Sequence, residues 1–539
     1  MSDRRTSITF RLHGEQRNDV WNKEGSTVSN LEPGAQLATR PDAPAVIMGE
    51  SGAIVTYAEL DAGSKRLAQL FHAGGLRPGD HVAVMLENHP RYFEVVWGAQ
   101  RAGLYTTPIN WHLKPDEVGY IIEDCGATAL ITSHRLAGLA AELEPQLAVV
   151  SIRLMMDGTI RGYDGYEDAI GTHPPAPLVD EVEGSLMFYS SGTTGRPKGI
   201  KREQQPRPFG SGGGALIMSL QRMYGISRDT VYLCPAPLYH AAPLGWSITA
   251  QRLGATVVVM ERFDPVRCLE LIERYRVTHA QFVPTHFVRM LKLPDDVRRA
   301  RDTSTLQVVV HAAAPCPIDV KRRMIDWWGP IINEYYGGSE GIGLCTIDTE
   351  HWLRHPGSVG VPMAGAIHIL AEDGREQPAG KPGQIWFDSE YRFEYHNDPA
   401  KTAGAYNDRG WGTLGDIGYV DDDGFLYLTD RVSHMIISGG VNIYPQEVEN
   451  ELTMHPAVTD VAVIGVPNSD LGEEVKAIVV PARSEDAGNE LAMELIEYCR
   501  SRLAHFKCPV TVYFVDELPR LPTGKLLKRQ LRDKYWEGA

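Results

Sequence analysis

Residues 189–199 read Tyr-Ser-Ser-Gly-Thr-Thr-Gly-Arg-Pro-Lys-Gly, a run of hydroxyls and glycines that ends on a cation. This composition suits phosphate. Ser190, Ser191, Thr193 and Thr194 offer donors, Gly192 and Gly195 let backbone N–H groups approach an anion, and Lys198 adds a mobile positive charge. The spacing is not that of the NTPase P-loop, because Lys198 lies three residues after Gly195 and is followed by Gly199. A plain Ser/Gly-rich surface turn has the same composition, so the loop alone leaves two readings open.

The elements around it narrow the choice. Gly184 to Tyr189 is short and apolar enough for a buried strand, which places the loop at a strand end, where α/β proteins bind ligands. Short apolar runs (Val82–Leu86, Ala129–Thr132, Ala255–Met260, Val308–Val310) alternate with amphipathic stretches. One helix is expected to open at a capping box, Thr56 with Glu59, and another at Asp264-Pro265, an N-cap followed by a first-turn proline. The rhythm is that of an α/β chain. Between 356 and 430 it gives way to Gly, Pro and Asp punctuation with alternating strands at Gly383–Phe387 and Gly424–Leu428, a β-rich subdomain. Beyond Arg431 a compact α+β block is expected, with helices near 445–453 and 489–504 and strands near 458–466, 474–480 and 511–515. The expected division is a polar extension over 1–37, a large domain over 38–431 and a small domain over 432–539.

A chain of 539 residues with 43% hydrophobic composition should form more than one core. Its net charge of −16 argues against nucleic acid as a partner, so a polyanion would have to be bound locally. Seven cysteines without a C-x-x-C pair suit a reduced protein lacking a disulfide framework or structural zinc. Neither a secretory signal nor a run of the ~20 apolar residues a membrane span requires is present, so the expected location is the cytoplasm.

Five more segments carry chemistry: Pro237-Leu238-Tyr239-His240, Glu334-Tyr335-Tyr336-Gly337-Gly338-Ser339-Glu340, Gly415-Asp416, Asp430-Arg431, and Pro519-Arg520-Leu521-Pro522-Thr523-Gly524-Lys525. In this order, with the 189–199 loop, they resemble the adenylate-forming superfamily of acyl-CoA synthetases, luciferases and peptide-synthetase adenylation domains. The resemblance covers about residues 38–530, and its type is closest to a bacterial fatty-acid–CoA ligase. It implies a large α/β domain and a small mobile C-terminal domain that pivots at Ser433, where relatives often carry Asp or Lys.

The same resemblance implies roles. The loop would hold the β- and γ-phosphates of ATP, and Glu340 with Thr193 would hold Mg²⁺, a hard cation suited to oxygen ligands. Tyr336 would stack on adenine, with Ala312-Ala313-Ala314-Pro315 across the base and Gly337 and Ser339 beside the nucleotide; Tyr335 is left as a packed core aromatic. Asp416 would accept from the ribose hydroxyls, with Arg431 on the same nucleotide. Lys525 would be the catalytic cation of adenylation, Lys528 and Arg529 being solvated charges. Ser438, Gly439 and Gly440 would approach CoA. His240 would gate the acyl or pantetheine channel or be a core histidine. Trp246, Phe282, Gly338 and the Gly210–Gly214 stretch are candidates for an apolar acyl pocket. After the loop the chain reads Ile200-Lys201-Arg202-Glu203 where many relatives continue Ser/Thr-His.

The expected reaction is carboxylate + ATP + CoA to acyl-CoA + AMP + pyrophosphate, on a fatty acid first and on an aryl or steroid-type acid otherwise. A carrier-protein acceptor is the alternative, although no carrier domain follows in the sequence; a non-catalytic nucleotide sensor is the alternative of another class. The partners are a small carboxylic acid, ATP and CoA, and a homodimer is left open.

Overall fold

The computed structural model describes residues 31–190, 197–202, 204, 206–211, 221–363, 365–431, 434–439, 441–520 and 526–536. Its spine is a 13-stranded sheet. Five strands, Val231–Cys234, Thr256–Val259, His279–Phe282, Val308–His311 and Ile332–Gly337, run parallel, since helices such as Ala241–Arg252, Pro265–Tyr275 and Ile318–Trp328 carry the chain back between them. Asp264 caps Pro265–Tyr275 by accepting from the Arg267 N–H at 2.8 Å, and Thr56 and Glu59 form the capping box of Tyr57–Ala73. A second sheet of 6 parallel strands, including His81–Met85 and Ala127–Ser133, packs through Tyr57–Ala73 and Tyr92–Arg101 against the first.

Past Ile332–Gly337 the large sheet turns antiparallel. That strand pairs in parallel with Val308–His311 on one side and antiparallel with Leu344–Ile347 on the other. The strands expected between 356 and 430 are present (Ser358–Pro362, Ala366–Leu370, Gly383–Asp388, Asp416–Val420, Leu426–Arg431), and they continue the same sheet. The parallel-to-antiparallel switch therefore falls on the strand that carries Tyr335 and Tyr336.

Ordered packing begins earlier than the expected residue 38. Arg252 donates to the Leu31 carbonyl at 2.8 Å, and Arg101, fully buried, ties Glu32, Asp61 and Glu181 together. Two interior cations hold this short segment down.

The small C-terminal block has a core of its own, built on Val448, Leu452, Val463, Val475, Val479, Leu491 and Leu495. Strands Val458–Asn468 and Gly472–Pro481 pair antiparallel, Thr511–Phe514 joins the second in parallel, and helices Pro445–Thr453, Asn489–Arg500 and Lys528–Trp536 cover them. It meets the large domain where Lys292 Nζ donates to the Val458 carbonyl at 2.6 Å and where the Gln446 N–H donates to Asp430 at 3.2 Å. Among the described residues no helix is long and apolar enough to cross a membrane, and all seven cysteines are unpaired.

Candidate active site

The two acidic motifs become cross-strand partners. Strands Asp416–Val420 and Leu426–Arg431 pair with Asp416 opposite Arg431, so Arg431 Nε lies 3.0 Å from Asp416 Oδ1. Tyr336 reaches the other oxygen from the switch strand, its hydroxyl donating to Oδ2 at 2.7 Å. A carboxylate only 6% exposed is thus held at both oxygens, yet an ionised carboxylate has about four lone-pair sites, so acceptor capacity is left for a ligand. Burial pushes the Tyr336 hydroxyl well above the usual phenol range, and the Asp416 charge beside it pushes further the same way. Burial works against the Arg431 cation, but Asp416, Tyr336, Glu340 and Asp430 outweigh it and raise its pKa.

Glu340 sits in the turn after the same strand. Its Oε1 accepts from the Tyr395 hydroxyl at 3.1 Å. Gly338 supplies the room: a Cβ there would lie 2.5 Å from Glu340 Oε2 and 2.7 Å from Leu414. Gly338 therefore makes room for the carboxylate. Gly337 closes against Gly343, whose carbonyl would stand 2.9 Å from an added Cβ, and the Ser339 carbonyl accepts from Arg202 at 3.1 Å.

The hydroxyl-glycine loop is carried by a hairpin, a different setting from the expected α/β strand end. Strands Phe188–Ser190 and Lys198–Lys201 pair antiparallel, Ser190 opposite Lys198, and Glu394–Tyr395 adds a third strand with Tyr395 opposite Ile200. Lys198 Nζ lies 6.0 Å from the Tyr395 ring, so the hairpin carries Lys198 and Tyr395 together toward Glu340. Asp124 fastens this sheet to its helix by accepting from the Tyr189 hydroxyl at 2.5 Å. Ser191, Gly192, Thr193, Thr194 and Gly195 lie outside the described residues, as do Ser433, Gly440 and Lys525. Ala313 and Ala314 follow the strand Val308–His311 with their side chains open, and Ala313 adopts a φ of 75°.

Strand alternation sends Tyr335 to the face opposite Tyr336. Its ring stacks on Trp246 at 6.1 Å, and its hydroxyl oxygen accepts from Gln281 Nε2 at 2.7 Å and from the Trp246 side chain. Burial pushes this hydroxyl up to about 12, the two donors acting in the opposite direction. Tyr335 keeps accessible surface although its strand is interior to the sheet, and Ala241, Ala242 and Gly245 do so on the helix that carries Trp246. His240 stands at the start of that helix with extended backbone, its ring 4.4 Å from Tyr239.

Phe282 does not share this face of the sheet. It is packed with His286, Phe287 and Trp328 in the core on the other side of the sheet, and its neighbour Gln281 faces Tyr335 instead. One residue of strand parity separates the two. Of the Gly210–Gly214 stretch, Gly210 is buried with its N–H donating to Glu183 at 2.9 Å, and 212–214 lie outside the described residues.

In the small domain Ser438 ends the strand Ile436–Ser438, and Gly439, at φ 56°, donates its N–H to the Leu471 carbonyl at 2.8 Å. Arg520 and Leu526, which flank 521–525, pair with each other, and Arg520 grips Asp460 with contacts of 2.5 and 2.6 Å. Lys528 is not a solvated charge: it is buried and pairs with Glu449 at 2.8 Å, whereas Arg529 is exposed.

Residues 34–394 match the model of the AMP-binding enzyme family, and 447–525 match the AMP-binding enzyme C-terminal domain. The chain belongs to the AMP-binding enzyme family. This AMP-binding enzyme is 36% identical to a feruloyl-CoA synthase from Amycolatopsis sp, across 92% of this chain and 96% of that one. It is 32% identical to the long-chain-fatty-acid–CoA ligase FadD13 of Mycobacterium tuberculosis, across 89% and 93%, and 31% identical to the fatty acid–[acyl-carrier-protein] ligase ScoC of Streptomyces coeruleorubidus, across 92% and 94%. Among solved structures it is similar to ATP-bound MatB from Rhodopseudomonas palustris, with 28% identity, a TM-score of 0.76 and coverage of 94% and 99%. This AMP-binding enzyme is an adenylate-forming ligase of the acyl-CoA synthetase kind, with the mixed α/β fold of those structures.

Proposed function

We propose that this AMP-binding enzyme joins a hydrophobic, ring-bearing carboxylic acid to CoA through an acyl-adenylate. The observation that carries the first step is Asp416, held by Tyr336 and Arg431 beside Glu340 and the hairpin of Lys198. In that step a carboxylate oxygen of the acid bonds to the α-phosphorus of ATP, and the bond to pyrophosphate breaks. Two anions must meet, so cations and donors dominate the problem.

Asp416 accepts from the ribose, and its two protein donors fix its orientation before the nucleotide arrives. Tyr336 and the open Ala313–Ala314 segment bound the base. Lys198, with the loop donors, draws negative charge toward the leaving pyrophosphate, and Lys525 stabilises charge between carboxylate and α-phosphate. In the second step the thiol sulfur of CoA bonds to the acyl carbon, AMP leaves with its oxygen, and the thiol proton goes to solvent. Ser438 and Gly439 border the approach of the pantetheine arm.

Glu340 fits Mg²⁺. It offers a carboxylate steadied by Tyr395 and given room by Gly338, as suits an ion held by one carboxylate and substrate phosphates. Bound there, Mg²⁺ would supply charge neutralisation to the phosphates.

The acid is read from the ring of Tyr335, which keeps accessible surface and is backed by Trp246 and, farther in, by Tyr232 at 6.2 Å from Trp246. Stacked walls favour a planar ring over a flexible chain. The relative named for feruloyl-CoA supports that order, and the one named for a fatty acid keeps chain acids in contention.

Pyrophosphate release, screened over aryl, steroid-type and fatty acids with and without CoA, tests this reading. Release with aryl acids and stoichiometric CoA consumption is expected. No release with any acid overturns it. Release without CoA consumption favours a carrier-protein acceptor, the reading that the likeness to ScoC supports.

A further inference from the structure

Strand Lys198–Lys201 alternates its side chains, and the alternation sorts its cations by partner. Lys201 turns to the far side and rests 4.9 Å over the Tyr105 ring. Lys198, Ile200 and Arg202 share the other side with Tyr395, which binds Glu340. Arg202 is pinned there at three points. Its carbonyl accepts from the Tyr105 hydroxyl at 2.9 Å and its NH2 donates to the Ser339 carbonyl at 3.1 Å. Its guanidinium lies over Gly341, where an added Cβ would come within 2.3 Å of it.

Among the described residues the rest of the fork is unspent. Arginine has five N–H donors, and the bond to Ser339 uses one. Among the described residues no carboxylate comes within ion-pair distance of this guanidinium, and Glu340 acts on it only at longer range. The side chain nevertheless keeps exposed surface beside the Ser339–Glu340 turn, and the protein packed around it makes the cation harder to hold, lowering its pKa. In a chain of net charge −16, a fixed arginine without a carboxylate partner among the described residues is placed for an anion from outside.

We propose that Arg202 is an additional oxyanion-binding residue of the adenylation step, its free donors taking two oxygens of an incoming carboxylate or phosphate beside Glu340. The assignment rests on the adenylation reading above. A carboxylate would come from the acid and a phosphate from ATP, and both match the planar, bidentate fork. Holding one anion in place while its charge is offset would lower the barrier to bringing two together.

The test uses full-length Arg202→Gln and Arg202→Lys, with acid and ATP varied separately in the pyrophosphate assay and with thioester formation from supplied acyl-adenylate run alongside. Losing a charged pair of hydrogen bonds should raise one KM by about 10- to 100-fold in Arg202→Gln. A rise for the acid identifies the carboxylate and a rise for ATP the phosphate; either supports the proposal. Arg202→Lys should recover part of the loss, because it keeps charge without the fork. Equal behaviour of the two variants, unchanged KM values, or parallel loss of both half-reactions overturns the proposal. Should Arg202→Gln fail to fold, the ratio of the acid and ATP effects in Arg202→Lys decides. A wild-type enzyme inactive with every acid defeats the adenylation reading itself, whereas an active wild type with unchanged variants defeats only the role of Arg202.

Discussion

The two faces of the strand Ile332–Gly337 are built on opposite principles. On one, Tyr336, Asp416 and Arg431 interlock by a hydrogen bond and an ion pair, with Glu340 at the strand's end. On the other, Tyr335 leans on Trp246 by ring stacking and takes single hydrogen bonds. A polar interlock tolerates little change because each buried group left without a partner costs free energy, while stacked rings can slide or be exchanged at smaller cost. In the proposed function the nucleotide, common to every adenylation, takes the rigid face, and the acid takes the adaptable one. Changes on the first face should slow all acids alike; changes on the second should reorder them.

The largest expected effect is Lys525→Ala. Removing the cation proposed to stabilise developing charge should lower adenylation by about 10²–10³-fold for every acid. Thioester formation from supplied acyl-adenylate should stay near the wild-type rate. Equal loss of both half-reactions, or loss confined to some acids, would remove Lys525 from the shared machinery. Next comes Asp416→Ala, which strands the Tyr336 hydroxyl and the Arg431 guanidinium together. Hydrogen bonds to a charged group are worth about 1.5–3 kcal/mol each, so the KM for ATP should rise by roughly 10- to 100-fold. The same factor is expected with each acid. A factor that varies from acid to acid would break the separation of the faces.

Sequence alone shows most of the nucleotide face and little of the acyl one. Asp416 and Arg431 are readable because each lies in a short motif and a two-strand pairing suffices to join them. Tyr395 has no motif: its place beside Glu340 depends on a third strand crossing from far along the chain. Phe282 shows how an acyl wall misleads, since its strand is buried at both parities and only the packing of Phe287 and Trp328 decides which side holds the apolar core. Lys528 misleads differently. A basic residue beside other basic residues reads as solvated, and nothing local announces that Glu449 is buried across from it. Local signals fared better, as at the Asp264 cap and the helix Pro445–Thr453.

A smaller effect should come from the acyl face. Tyr335→Phe removes the hydroxyl that Gln281 and Trp246 address and leaves the ring in place. Acids bearing a ring oxygen should lose about tenfold in kcat/KM relative to the unsubstituted ring, the scale of one neutral hydrogen bond with a stranded partner. The KM for ATP should not move. A uniform fall for all acids would show that Tyr335 braces its neighbour Tyr336, joining the two faces.

The smallest expected effect tests how far the nucleotide face is preset by backbone. Ala313 holds a φ of 75°, a left-handed conformation that costs a residue with a Cβ about 1–2 kcal/mol. Ala313→Gly would relieve that strain but loosen the unfolded chain by about 0.4–1 kcal/mol, so the two terms largely offset and leave a slight net stabilisation. In thermal unfolding this should appear as a rise of no more than about 2–4 °C. If the other bonds of the loop keep its shape, the KM for ATP should change by less than about twofold, since no charged contact is lost. Should the variant instead melt earlier while ATP affinity drops, the methyl group is itself part of the wall around the base, and the rigidity of this face rests on side-chain packing as well as on backbone.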